Sequence, residues 1–395
     1  MKKDIAIIGA GASGLFSSIL LASKNFNITI YEKNNKVGKK LLTTGNGRCN
    51  ITNKNIKLEN FHSNNPDFIK YSLSLFDFPK CKKIFNQFGI EFKEGAKTRQ
   101  YPSSLMASSV VELLEYEALQ KGVRIILNSD IDDISFKNNK YIINNQIYDK
   151  IILAMGSCAM PKLGSSTKGY QIAKKFGHNI ITPIASLVQL VSSNKNLDII
   201  SGVKIDGVVN NKKGDILFTK YGLSGSAILD ISRDISDKLQ YNKTVKVTID
   251  TMPDYSKNRL IEILQNRYKN HNNKDIIMWL DGLINKKLAK YIIFMSKIPQ
   301  NIKYAKFLTK KDIIAISYTL KNLSFDIVDT KGFDSCEVCA GGVDTFEINS
   351  KTMESKLYKN LFFTGEVLDV DGDCGGYNLH WAWASSYVLA NNMEE

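Results

Sequence analysis

Histidine and cysteine are both scarce in this chain, four and six residues in 395. The cysteines, at 49, 81, 158, 336, 339 and 374, are too few and too scattered for the disulfide framework of a small secreted domain. No histidines accompany them at a zinc-ligand spacing, so reduced thiols and no metal site are expected. No apolar run approaches the roughly 18 residues that span a bilayer. Lys2 and Lys3 before an apolar stretch outline a signal peptide, but Asp4 and a glycine turn interrupt it, and a cytoplasmic protein without a membrane partner is the simplest expectation. Acidic residues are also in deficit, 39 against 53 basic ones, for a net charge of +14. Residues 191–334 hold 24 Lys and Arg against 15 Asp and Glu, +9 of that excess. The excess is lysine dispersed among isoleucine and asparagine, without the arginine clusters or interleaved aromatics of a base-stacking groove. A compositional bias explains it more simply than nucleic acid, and a small-molecule partner is expected instead.

What is present is organised around residues 4–33. An apolar strand, Ile5–Ile8, meets the turn Gly9-Ala10-Gly11-Ala12-Ser13-Gly14, an apolar helix runs to about Ser23, and a second strand, Ile28–Tyr31, ends at Glu32. In such a βαβ unit Gly9 permits the tight turn, Gly11 admits a pyrophosphate, Gly14 lets helix pack on strand, and the free N–H groups of Ala12 and Ser13 open the helix. Glu32, 18 residues beyond Gly14, can accept both hydroxyls of an adenosine ribose. Strand, helix and acidic residue together make this a dinucleotide fingerprint.

A second glycine-rich stretch, 37–53, follows the ribose-binding position. Gly45 and Gly47 let backbone lie against a flat or anionic ligand, and Arg48 can offset negative charge on it. Residues 66–88 and 103–120 read as helical, and Val123–Leu127 as a strand. Short β segments separated by Asn138-Asn139 and Asn144-Asn145 fill 131–149 as a meander, leading into the buried strand 150–153 that ends at Ala154 and Gly156. By fold analogy a meander in place of a crossover helix suits a flavin-type dinucleotide fold better than a nicotinamide-binding one.

From 186 to 334 the texture changes to short strands, 203–209 and 215–219, around a helical portion at 255–322. The turn 221–225 is expected to open a helix at 226–233. No Ser-His-Asp order and no metal spacing occurs there, and it reads as an inserted domain that covers a cofactor site and shapes a substrate pocket. The end of the chain returns to glycine chemistry. A strand, 360–364, runs into Gly365-Glu366, Asp369 and the glycine pair 375–376, and a helix follows through Ala390. The carboxylates suit sugar-type hydroxyls, and the helix N-terminus suits an electron-rich ring edge.

These motifs together, GAGASG with Glu32, GKKLLTTGNGRCNITN at 38–53, YGLSG at 221–225, AGGV at 340–343 and GEVLDVDGDCGGYNLHWAW at 365–383, resemble the bacterial NAD(P)/FAD-dependent oxidoreductases with an inserted domain. Members are called aminoacetone oxidases, or reductases of conjugated double bonds in oxo bile acids. The resemblance implies an α/β fold, a Rossmann-like FAD-binding domain of the glutathione-reductase type over 1–190 and 335–395, interrupted by a mixed β and helical insert over 191–334. It implies FAD, with NAD(P)H as a transient donor, since only one dinucleotide fingerprint is present. Implied contacts are the Gly9–Gly14 turn, Glu32 and Lys33, then Lys40, Gly45, Asn46, Gly47, Arg48, Cys49 and Asn50. Ala154, Gly156, Gly365, Glu366, Asp369, Gly376, Tyr377 and Asn378 complete the set. The expected reaction is hydride transfer through flavin N5, in a reductase fed by NAD(P)H or in an amine oxidase using oxygen; a basic flavoprotein acting on RNA is the reading from another class.

Three side chains are candidates for chemistry. Arg48 and the N-terminus of the last helix would stabilise a reduced ring, Tyr377 would stack on it or donate to it, and His380 would act as acid or base. The other histidines, His62, His178 and His271, have no partner pattern. Cys336 and Cys339 depart from the family pattern; a CxxC beside a flavin is a candidate redox relay, although strand alternation would point the two thiols to opposite faces.

Overall fold

The computed structural model describes residues 2–394, which form two compact units. One runs to Ala185 and resumes at Cys336; the other is Ser186–Ser335.

The first unit is built on a five-stranded parallel sheet. In chain order its strands are β1 (Lys3–Ile8), β2 (Phe26–Tyr31), β3 (Arg124–Ile126), β4 (Lys150–Leu153) and, beyond a further strand β5 (Val338–Val343) outside this sheet, β6 (Leu361–Phe363). Their order across the sheet is β6-β4-β1-β2-β3. Ile5, Ala6 and Ile7 of β1 and Ile151, Ile152 and Leu153 of β4 are fully buried, as a parallel sheet covered on both faces requires. The helix α1 (Ala12–Ala22) follows β1, and the last helix, α2 (Tyr377–Asn392), follows β6 through a 13-residue loop, so both begin beyond the carboxyl ends of parallel strands. Ser13, Ser17 and Ser18 on α1 and Ala384, Ser385 and Ser386 on α2 are all buried, and these small side chains let the helices close. The Ser386 hydroxyl donates to the Ser13 carbonyl at 3.0 Å. Phe16, Phe85 and Trp383 meet beside them, ring centroids 5.2–5.6 Å apart, pairs worth about 0.5–1.5 kcal/mol each beyond area burial.

The meander lies where the asparagine pairs predict it, as Ser135–Lys137, Lys140–Ile143 and Gln146–Tyr148, with Asn138, Asn139, Asn144 and Asn145 all at positive φ. Two helical stretches differ from expectation. The 66–88 segment is two helices, Asp67–Leu75 and Phe78–Gln87, because the Asp77 carboxylate caps the second by accepting from Lys80 N at 2.8 Å. The helix expected from 103 starts at Ala107, since Leu105 turns left-handed at φ 54°.

The second unit is a closed six-stranded antiparallel barrel wrapped by helices. Its strands run Leu190–Ser192, Gly222–Ser224, Lys212–Thr219, Lys204–Val209, Val245–Asp250 and Leu323–Thr330 around the ring, the last pairing back to the first. Residues 222–224 are thus a barrel strand and not a turn, and the helix after Gly225 is longer than expected, Ser226–Leu239. Gly222 and Gly225 are obligatory: a Cβ on either would press on the Leu190 or Asp215 carbonyl oxygen at 2.3–2.4 Å. Phe218, Trp279, Tyr291 and Phe325 fill this unit's core.

Candidate functional site

The turn after β1 is shaped by contacts that forbid side chains. A Cβ on Gly9 would sit 2.5 Å from the Ala154 carbonyl oxygen, one on Gly14 would collide with the Gly9 carbonyl, and Ala154 N closes the corner by donating to Ile8 O at 2.9 Å. Around Gly11 there is open space, and α1 starts there with no side-chain cap. A helix N-terminus with uncommitted N–H groups beside open space has the geometry to receive an anionic group. Glu32, 7% exposed, is held at the end of β2: Ala10 N donates to Oε2 at 2.8 Å, and Asn34 N and Nδ2 donate to Oε1 at 2.8 and 2.7 Å. Oε1 spends both lone pairs on Asn34, and Oε2 keeps one for a ribose hydroxyl. Lys33 is half-buried beside it.

The two ends of the chain meet at this turn. Ser13 Oγ donates to Thr364 O at 3.4 Å, and a Cβ on Gly365 would press on that hydroxyl at 2.6 Å. Gly365 N donates to Ser385 Oγ at 3.0 Å, and Trp381 Nε1 donates to Gly365 O at 3.2 Å. Glu366 accepts from Lys40 Nζ at 2.8 Å, with the two side chains only 19% and 26% exposed. Burial works against the Lys40 ammonium, but Glu366 prevails and raises it above the usual lysine range. Asp369, fully buried, accepts from Asn64 N at 2.9 Å.

The Gly45–Asn50 loop is left-handed at Gly45, Asn46, Gly47 and Cys49, with φ of 57–80°. Cys49 is fully buried and burial pushes its thiol up to about 12, so it packs without ionising. Arg48 is exposed, donates to Gly45 O at 3.2 Å and lies 5.2 Å over the Tyr101 ring. Asn50 Oδ1 is buried with no hydrogen-bond partner and sits 2.9 Å from where a Gly376 Cβ would stand. Gly376, at φ 96°, opens α2 without a side-chain cap. Gly156 is likewise left-handed at φ 68°, with open space around it.

Three expected roles change. His380 is fully buried, with Nε2 on Phe76 O at 2.9 Å and Nδ1 on Thr52 Oγ1 at 2.8 Å. The carbonyl can only accept, so Nε2 carries the proton and neither nitrogen is left for a substrate; burial lowers its pKa to about 4. His380 is a packing residue, not an acid or base. Asn378 spends its amide on Gly372 N and O, both at 2.8 Å, and so shapes the loop. Tyr377 is buried against the edge of Phe61 at 5.8 Å, and Cβ atoms on Gly372 or Gly375 would press on it at 2.8 Å, so it props the glycine loop.

Two residues the sequence did not single out stand here. His62 Nε2 donates to Asp373 Oδ1 at 2.9 Å; the histidine side chain is 33% exposed and the aspartate 10%. Arg99 Nη2 donates to Cys374 Sγ at 3.5 Å. No local pattern announces either pair, because each joins segments hundreds of residues apart.

This is a nucleotide-binding Rossmann domain of the flavoprotein oxidoreductase kind. A profile of the HI0933-like protein Rossmann domain matches residues 3–392, and the chain belongs to that family. It is 33% identical to the 3-dehydro-bile acid delta(4,6)-reductase of Clostridium scindens, over 99% of both chains. It is also 33% identical to the ribosomal RNA dihydrouridine synthase of Haemophilus influenzae, over 97% of this chain and 96% of that one. Among solved structures, the 3-ketosteroid delta1-dehydrogenase of Sterolibacterium denitrificans shares the fold, at 9% identity, 99% coverage of both chains and a TM-score of 0.51. Among the described residues no helix is long and apolar enough to cross a membrane.

Proposed function

We propose that this protein binds FAD and uses it to reduce a carbon–carbon double bond conjugated to a carbonyl group. The observation that carries the reading is the pairing of two uncapped, glycine-opened helix N-termini, at Gly11 and Gly376, on helices that pack together with Glu32 and Asn50 beside them. That arrangement suits a long ligand with a ribose and pyrophosphate at one end and an electron-rich ring at the other. The open space at Gly11 and the orphaned Asn50 carbonyl are consistent with such a group.

FAD held there would supply hydride chemistry at N5, recharged by NAD(P)H bound transiently. The chain's own work is to bind and orient. Glu32 Oε2 would accept a ribose hydroxyl, the first N–H groups of α1 would meet the pyrophosphate, and the N-terminal end of α2 would favour negative charge on the ring edge. Lys33, Lys40 and Asp369 belong to the same cradle. Arg48, exposed on the Gly45–Asn50 loop, would add positive charge near the ring. His62, fixed through Nε2 by Asp373, presents Nδ1 for proton exchange with the carbon next to the carbonyl.

Both curated relatives carry names that fit this reaction, since a delta(4,6)-reductase and a dihydrouridine synthase each saturate a C=C bond conjugated to a carbonyl. The substrate class proposed first is a small enone. A uridine ring held in RNA is the second reading, supported by the +9 charge of residues 191–334 together with the dihydrouridine synthase relative. Incubation of the FAD-loaded protein and NAD(P)H with a steroid dienone, and separately with unmodified ribosomal RNA, tests both by a mass gain of two hydrogens. Gain on neither substrate overturns the proposal.

A further inference from the structure

Three thiols that the proposed reaction does not use converge behind the glycine turn of the last segment. Cys158 Sγ lies 3.3 Å from Cys339 Sγ, although the residues are 181 positions apart. Cys336 also bonds to Cys339, so the two thiols of the CxxC face each other rather than opposite sides; Cys336 precedes β5 and escapes strand alternation. All three are buried, at 8%, 0% and 1% exposure for 158, 336 and 339. Cys339 N donates to Glu366 Oε1 at 3.1 Å, and Glu366 pairs with Lys40, so a cation stands next to the cluster. The hydrogen bonds from Cys158 and Cys336 favour the Cys339 thiolate, with the Lys40 charge adding to them, and hold it well below the usual thiol range; Cys158 and Cys336 are pushed up by the same contacts. Among the described residues no group of His, Cys, Asp and Glu is arranged to hold a metal ion.

We propose that Cys158 and Cys339 form a reversible redox pair that closes to a disulfide on exposure to a peroxide, with Cys336 as the thiol that can exchange into it. The Cys339 sulfur attacks one oxygen of hydrogen peroxide, the O–O bond breaks, and one water leaves. The Cys158 sulfur then attacks the Cys339 sulfenic acid, forming the S–S bond and releasing a second water that carries the Cys158 proton. Two thiols and one peroxide become one disulfide and two waters, and a dithiol reductant reverses the change. Peroxide is close to water in size, which suits a buried target. Exchange by Cys336 would move the bridge to 336–339 and release Cys158. The bridge ties the turn after β4 to β5, whose Cys339 N–H holds Glu366. None of this depends on FAD being the cofactor.

The test is thiol mapping of the fully reduced protein after graded hydrogen peroxide, with alkylation under denaturing conditions and peptide mass spectrometry. The expected result is a peptide joining Cys158 to Cys339, reversed by dithiothreitol, lost in C158S and in C339S, and kept in C81S and C336S. Circular dichroism checks that each variant folds, and the wild-type map decides the matter if one does not. Six free thiols, or sulfinic acids without any bridge, at peroxide levels that already modify the less buried Cys374 would overturn the proposal.

Discussion

His62 Nε2 lies 2.9 Å from Asp373 Oδ1, and this contact fastens residues 311 positions apart onto the loop that opens the last helix. The strand pairing of Asp371 with His62 and Gly372 with Phe61 fixes both backbones, so the imidazole is presented in one orientation. A histidine so placed, a third exposed and backed by a buried carboxylate, is equipped to exchange a proton.

His62→Gln is therefore expected to lower the turnover number by about 10²-fold or more, the usual worth of a general acid, while leaving the flavin spectrum intact. Asp373→Asn should give a smaller loss, because it releases the ring without removing it. Stopped-flow measurement of substrate reduction separates these effects from cofactor binding, and unchanged turnover in H62Q would remove His62 from the chemistry.

The two glycines at the start of α1 should behave oppositely. Gly11→Asp has room and should fold normally, yet its carboxylate would stand at the pyrophosphate and cut FAD affinity by about tenfold or more. Gly14→Ala meets the Gly9 carbonyl and should destabilise the fold by a few kcal/mol, about the cost of overpacking. Thermal melts of the apoprotein and FAD titrations distinguish the two.

Much of this was readable from sequence. The GAGASG turn, Glu32 and the meander asparagines declare themselves because each is a local backbone requirement, met within a few residues. The inserted barrel was not readable as a barrel, since closure is set by the pairing of Leu190–Ser192 with Leu323–Thr330 across the whole insert. Glycines 222 and 225 looked like a turn for the same reason: the residues they must avoid touching are carbonyls of strands elsewhere in the chain. His380 looked catalytic by its place next to the glycine pair, but helix geometry carries it inward to Phe76 and Thr52. Nothing local marks His62 or Cys158, because their partners, Asp373 and Cys339, are distant in sequence.

Acid stability follows from His380. Its folded pKa, about 4, lies below the unfolded value of about 6.5, so the unfolded chain binds more protons between those pH values. Stability is full above about pH 6.5 and falls as the pH drops toward 4, by on the order of 3 kcal/mol. His178, lowered by burial against the pull of Glu347, adds in the same sense. Denaturant melts from pH 7 to pH 4 should show the loss, and His380→Gln should flatten it; an identical slope in the variant would contradict the assignment.

The basic insert allows a separation of the two substrate readings. If RNA is the substrate carrier, its retention by the intact protein falls steeply as salt rises, as counterion release requires, while turnover of a small enone is nearly unaffected. Retention that is absent at physiological salt assigns the lysines to composition alone.

The central claim is most directly tested by an anaerobic spectrum of the FAD-reconstituted protein. The account predicts a flavin band near about 450 nm that NADH or NADPH bleaches and that an added steroid dienone or uridine-containing RNA restores. A band that neither nicotinamide bleaches, or one restored only by oxygen, would contradict it.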